Sequence, residues 1–323
     1  MKSPSKFLVA SLLSSAVIAS TGMLSAQAVA EPVSDQILSS LMLDVDKAGT
    51  SNHLVAVGDR GHVLWSEDEG KAWQLGENST QVLLTAVDFP TVNIGYAVGH
   101  DAVVLKSTDG GRSWNKVYED KEAEVPLLDV LFTDANNGFV MGGYGYLLQT
   151  TDGGKTWHNR FDSVENFDEF HYNGMTQLKN GMLMMVGEAG TMYRSSDNGK
   201  SWETLESPYE GTFFGVSALE QLNGAVAYGL RGNAFITNDS GDTWTELDTG
   251  TEQTFFSGLV LKGNMPLLVG TGGTFSRNDG DDVLVNNQSD RAVLTGIVKT
   301  SDNVFVVTGE NGIRRVDPSV IGL

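Results

Sequence analysis

The stretch Ser107-Thr108-Asp109-Gly110-Gly111-Arg112-Ser113-Trp114 reads S-x-D-x-G-x-x-W, and it returns four more times. Ser66 to Trp73 (SEDEGKAW) and Ser195 to Trp202 (SSDNGKSW) keep every fixed position. Thr150 to Trp157 (TTDGGKTW) and Thr237 to Trp244 (TNDSGDTW) put Thr in place of Ser. The tryptophans stand at 73, 114, 157, 202 and 244, so the steps are 41, 43, 45 and 42. A period near forty with strand-like flanks is the mark of propeller blades. Asp and Gly suit a tight hairpin, because Asp caps backbone N–H groups and Gly supplies positive φ without a Cβ clash. The Trp then opens the next strand with a large apolar body to bury between blades. The alternative for Asp109 and its equivalents is metal ligation. One carboxylate per repeat favours the hairpin.

A second element recurs independently. Val55-Ala56-Val57-Gly58-Asp59-Arg60-Gly61 has counterparts around Gly99, Gly142, Gly187, Gly229, Gly270 and Gly309, with steps of 41, 43, 45, 42, 41 and 39. An apolar run ending in Gly-x-x-Gly reads as a strand entering a hairpin. A third element precedes each copy: Leu43-Asp44-Val45, Leu84-Thr85-Ala86, Leu128-Asp129-Val130, Tyr172-Asn173-Gly174, Phe214-Gly215-Val216, Phe256-Ser257-Gly258 and Leu294-Thr295-Gly296. Each blade then has an inner strand, a strand ending in Val-Gly or its equivalent, a strand entering the box and an outer strand beginning at Trp. The fold class is all-β, a seven-bladed propeller of four-stranded antiparallel blades. Blade 6 has lost its box, since Val283 stands where Trp is expected. Blade 7 stops near Ile313 to Val316, and Pro32 to Ile37 are expected to supply its outer strand and close the ring.

These motifs resemble the Asp-box (BNR) repeat of sialidases, sortilin-type receptors and, most closely, the photosystem II stability/assembly factor family, whose members form seven-bladed propellers. The resemblance covers nearly all of the chain after residue 30. It is specific for fold and weak for function, because the box is scaffold. It implies a non-catalytic propeller that binds protein partners and assists a membrane-protein complex, photosystem II in a photosynthetic organism. In another bacterium the complex would be an envelope or export system.

Met1-Lys2 and Lys6 precede an apolar run from Phe7 to about Leu24, followed by Ala28-Val29-Ala30. This reads as a signal peptide over 1–30, leaving 31–323 as one propeller domain. An uncleaved anchor is the alternative. The expected location is the periplasm or the medium, or the thylakoid lumen in a photosynthetic cell, and the expected state is a monomer. The chain has no Cys, which removes thiol catalysis, haem attachment and Cys-based zinc sites and leaves ring closure to provide stability. A formal charge of −20 repels nucleic acid and anionic lipid; it favours plain solubility or a partner with a basic patch.

Two regions are candidates for function. Asp44, Thr85, Asp129, Asn173, Gly215, Ser257 and Thr295 align on the inner strands and are expected to line a narrow, polar central channel. The Gly-x-x-Gly turns share the other region, the face where loops converge, with Arg60, His100, Tyr144, Glu188 and Arg231 as candidate partner contacts. The insertion Arg160 to Phe170 adds Phe161, Phe167 and Phe170 among four acids, and Tyr209 belongs to the same face. Surface aromatics point to a partner unless they fold back onto the ring. The enzyme reading finds little support. The sialidase F-R-I-P motif is absent, no third arginine joins Arg60 and Arg231, and the five histidines lack zinc spacing. No phosphate or dinucleotide loop is present, so no cofactor and no metal is expected. A glycan-binding or glycosidase-like propeller remains the alternative.

Overall fold

The structure, a computed structural model, describes residues 33–49 and 51–322. The expected signal segment lies outside these residues. Six four-stranded sheets and one three-stranded sheet follow one another, each an antiparallel meander. Blade 1 comprises Met42–Lys47, Leu54–Gly58, Val63–Ser66 and Gln74–Leu75. The inner strands of blades 2 to 7 are Leu84–Asp88, Leu127–Phe132, Tyr172–Gln177, Phe213–Ala218, Phe255–Leu261 and Leu294–Lys299. Each inner strand packs beside the next, and that of blade 7 packs beside that of blade 1, so the ring is closed. Among the described residues no helix is long and apolar enough to cross a membrane.

The core lies between blades rather than within them. Seven apolar clusters fill the seven interfaces. Each box tryptophan joins the cluster shared with the preceding blade: Trp73 between blades 7 and 1, Trp114 between 1 and 2, and so on to Trp244 between 4 and 5. Trp114 meets Phe89 edge-on at 5.9 Å and donates its indole N–H to the Gly111 carbonyl at 2.9 Å. Blade 6 has no such tryptophan, and its interface with blade 5 holds the smallest cluster, around Tyr228, Ala234, Phe255 and Leu268.

The boxes are hairpin clasps. Ser107 Oγ donates to Asp109 Oδ1 at 2.8 Å and accepts from the Gly111 amide at 2.8 Å. Asp109 also accepts from the Ser113 amide at 2.9 Å and from the Ser113 hydroxyl at 2.6 Å. Asp152, Asp197 and Asp239 repeat the pattern, and Asp68 repeats all but the hydroxyl bond, since Ala72 stands there. Hydrogen bonds from the backbone and hydroxyl of Thr156 and Ser201 hold the Asp152 and Asp197 carboxyls down at about 2. The carboxylate oxygens are thus spent on their own turns.

The expected closing strand is not formed. Blade 7 keeps three strands, Leu294–Lys299, Phe305–Gly309 and Gly312–Val316. Asp35–Leu38 is instead a single helical turn capped by Ser34, with Asp35 in the favourable first turn (Pro32 lies outside the described residues). Its Ile37 and Leu38 pack with Ile313 in the cluster between blades 7 and 1. The ring is locked elsewhere, by Glu69 in the first box. The Glu69 side chain accepts from the Ser301 amide at 2.7 Å, its carbonyl accepts from Arg315, and Arg315 pairs with Asp302 at 2.8 Å.

Glu69 is 4% exposed, and removing its carboxyl takes a charged acceptor from the Ser301 amide. Glu69→Ala should cost about 1–3 kcal/mol in chemical denaturation. Glu67→Ala, at an exposed ion pair with Arg112, should change stability by less than about 0.5 kcal/mol. Equal effects at the two positions would show that the lock contributes nothing special.

Candidate functional site

The inner strand of every blade carries a β-bulge at the same place, between Met42 and Asp44, Leu84 and Ala86, Leu127 and Asp129, and onward round the ring. The bulged residue and its successor both turn toward the axis. They line a central cavity of about 160 Å³, and Asp44, Thr85, Asp129, Asn173, Gly215, Ser257 and Thr295 all lie on its wall. Their register differs from the expected one. Thr85, Asn173 and Thr295 occupy the bulge itself, whereas Asp44, Asp129, Gly215 and Ser257 sit one residue later. Simple alternation cannot distinguish the two positions, because the bulge brings both to one face.

The two positions perform complementary work. Bulge residues donate to a carbonyl of the next blade: Thr85 Oγ1 to Leu127 at 2.7 Å, Asn173 Nδ2 to Phe213 at 2.8 Å, and Thr295 Oγ1 to Met42 at 2.8 Å. The following residue accepts an amide of the next blade: Asp44 from Val87 at 2.9 Å and Asp129 from Met175 at 2.8 Å. Asp46 and Asp88, not singled out from sequence, accept from Phe89 and Phe132 at 2.8 Å each. These hydrogen bonds join blades 7, 1, 2, 3, 4 and 5 in turn, whereas Gly215 and Ser257 of blades 5 and 6 add none of this kind. Burial pushes the Asp44 carboxyl up to about 6 and that of Asp129 up to about 7, with backbone amides opposing the shift. Asp46 and Asp88 are raised as well, first by burial and then by a neighbouring charge, that of Asp44 on Asp46 and that of Asp46 on Asp88.

On the opposite side of the hairpins, the Gly-x-x-Gly turns place their third residue in the left-handed region: Arg60 at φ 53, Tyr144 at φ 56 and Arg231 at φ 56. The next glycine packs on the incoming link. A Cβ on Gly61 would lie 2.4 Å from the Thr80 carbonyl oxygen, and one on Gly190 would lie 2.0 Å from that of Tyr209. The third side chain consequently stands out from the face. Arg60, His100, Tyr144 and Arg231 are exposed and Glu188 is half-exposed. Arg60 and Arg231 belong to non-adjacent blades; Arg60 faces its neighbour Asp59 at 3.5 Å, and Arg231 shares a groove with Glu246, Asp248 and Glu252.

One quadrant, at blades 3 and 4, gathers several candidates. The Tyr144 and His171 rings lie 4.8 Å apart, and His171 Nδ1 is 2.6 Å from Glu188 Oε2. Hydrogen bonds from His171 hold the Glu188 carboxyl below its usual range. Beside them, Asn166 ties the insertion shut by bonding both the amide and the carbonyl of Phe170. Phe167 is 92% exposed, Phe161 41% and Tyr144 55%, whereas Phe170 is half-buried. Tyr209 packs on Phe213 and Phe235 at 5.8 and 6.2 Å, so it acts chiefly as a core residue of blades 4 and 5. The sequence left His171 among scattered histidines; only its place between the insertion and an inner strand hinted at this contact.

The sequence profile of the family described as "Photosynthesis system II assembly factor YCF48" matches residues 27–126 and 119–287. The chain belongs to this family. Solved structures share its propeller. One titled "YCF48 bound to D1 peptide" has 17% identity and a TM-score of 0.70 over 87% of this chain and 94% of that one. YCF48 from Cyanidioschyzon merolae has 16% identity and a TM-score of 0.69, over 87% and 97%. A streptogramin B lyase reaches a TM-score of 0.74 at 12% identity, over 88% and 95%, so the shared fold alone does not separate family members from enzymes. Among curated proteins no sequence matches significantly.

The channel carboxylates give a pH test. The folded value of Asp129, near 7, lies above the roughly 3.9 of an unfolded carboxyl. The folded state thus binds the extra proton, and this contribution to stability is lost as pH rises through that window. Asp129→Asn cannot ionise. Between about pH 5 and about pH 8 the Tm of the natural protein should fall relative to that of the variant. Two curves separated by a constant offset would refute the raised value.

Proposed function

We propose that the chain is a non-catalytic, exported propeller that binds a protein partner and assists assembly or stability of a membrane-protein complex. The observation that carries this reading is the aromatic and acidic quadrant of Tyr144, Phe161, Phe167, His171 and Glu188 on the loop-bearing face. Large exposed aromatics lose little conformational freedom on docking and supply most of the binding energy of typical interfaces. Family membership supports the same reading, as does the related propeller whose structure was solved with the D1 peptide. In a photosynthetic cell the complex would be photosystem II; elsewhere an envelope assembly such as an export system fits an exported family member. The central acids do not favour catalysis, because Asp44 and Asp129 each accept two backbone amides rather than facing each other as a free acid and base.

Affinity purification from the organism's own envelope fraction after gentle crosslinking tests the proposal. Subunits of one membrane complex should be enriched with the natural chain. Tyr144→Ala with Phe167→Ala should reduce that recovery by about tenfold or more, the loss of one or two contact residues of ordinary weight. Recovery of the propeller alone, with binding on a glycan array, would favour the carbohydrate reading. Equal recovery by the natural and double-variant chains would remove the quadrant from the interface.

A further inference from the structure

The inner strands end at the Asp-box face, and the residue closing each strand differs round the ring. In blades 2 and 3 it is Phe89 and Phe132, whose rings cover Gly95 and Gly138 and are 5% and 6% exposed. In blades 7 and 1 the same register position carries Lys299, paired with Phe305, and Lys47, paired with Leu54. Leu259, Val260 and Val298 of blades 6 and 7 are half-exposed. They line a groove of about 290 Å³ that also takes in Lys47, Lys262 and Lys299. None of these three ammonium groups pairs with a carboxylate among the described residues. The chain as a whole carries 41 acids and 21 bases.

We propose that this groove docks an acidic linear segment of a partner protein, with an apolar side chain on Leu259, Val260 and Val298 and flanking carboxylates on Lys47, Lys262 and Lys299. Charge decides the sign of the occupant, since three lysines without a carboxylate partner attract carboxylates and repel basic chains. Shape favours a peptide over a free fatty acid, because the groove is open along one side and would leave an alkyl chain in water. The surface lies on the face opposite the aromatic quadrant, so the two sites can be occupied together and tested apart.

The probe is a fluorescein-labelled peptide of about eight residues alternating Glu and Leu, followed by anisotropy. Peptides alternating Lys with Leu and Glu with Gln serve as controls for charge and for the apolar anchor. The Glu–Leu peptide should bind the natural chain, and binding should weaken severalfold between ~50 and ~300 mM salt. Lys47→Glu with Lys262→Glu and Lys299→Glu should weaken it at least tenfold, whereas Tyr144→Ala with Phe167→Ala should leave it unchanged. Carbodiimide crosslinking should join the peptide to these three lysines, which maps the site even if the triple variant does not fold. Crosslinks confined to other lysines, or equal binding of the Glu–Gln peptide, would overturn the proposal. So would displacement of the peptide by decanoate, which would make the groove an amphiphile site.

Discussion

The whole ring depends on how an inner strand disposes of the backbone groups on its free edge. Each inner strand has a sheet partner on one side and the channel on the other, and carbonyls and amides left facing a narrow cavity are costly unless bonded. A bulge in every blade solves this locally. It turns two successive residues toward the axis, and in blades 1 to 4 and 7 one of their side chains reaches an edge group of the next blade. The choice of residue follows from the group it must satisfy: Thr or Asn where the neighbour offers a carbonyl, Asp where it offers an amide. Blades are therefore joined by apolar clusters outside and by side-chain staples at the axis. This is how blade 7 closes on blade 1 without a shared sheet.

Two populations of aspartate result, with opposite electrostatics. Those of the Asp boxes lie at the surface and accept several N–H and O–H donors, which favours the ionised form and lowers their titration. Those of the channel accept amides too, but burial dominates and raises them. The same residue type thus stabilises the fold more strongly above about pH 4 in one place and below about pH 7 in the other. For a highly anionic protein this arrangement is coherent. Neutralising the central carboxyls relieves repulsion where charges crowd, while the peripheral clasps keep theirs in water.

The blades, their number and the site of the lost box could be read directly, because Asp, Gly and Trp at fixed spacing are demanded by hairpin geometry and interface packing. The channel residues could be named but not placed in register. A bulge inserts one residue without changing composition, so Thr85 and Asp129 look equivalent in a row of letters although they sit one position apart. The closing strand failed for a different reason. Ser34-Asp35 is a helix cap, and that local preference prevailed over the general need to cover an edge. The His171–Glu188 contact and the lysine groove join residues from different turns or blades, and no local pattern reveals such meetings.

The fold also limits where recognition can occur. The Asp, Thr and Asn side chains at the axis and the box carboxylates are already bonded, so recruiting them for a ligand would break a staple or a clasp. What remains free is carried by the strand ends that line the lysine groove and by turns whose left-handed third residue has no structural duty for its side chain. Arg60, Tyr144, Ala189 and Arg231 occupy equivalent positions and share only their backbone conformation. One scaffold can thus change its surface blade by blade at little cost to stability, because a left-handed backbone held by the following glycine tolerates each of these side chains. Where a blade combines that freedom with an inserted loop, as blades 3 and 4 do, aromatic side chains can stand in water without loosening the ring. The same blades can consequently present different surfaces, and what each presents is set in the turns, links and strand ends rather than in the Asp boxes.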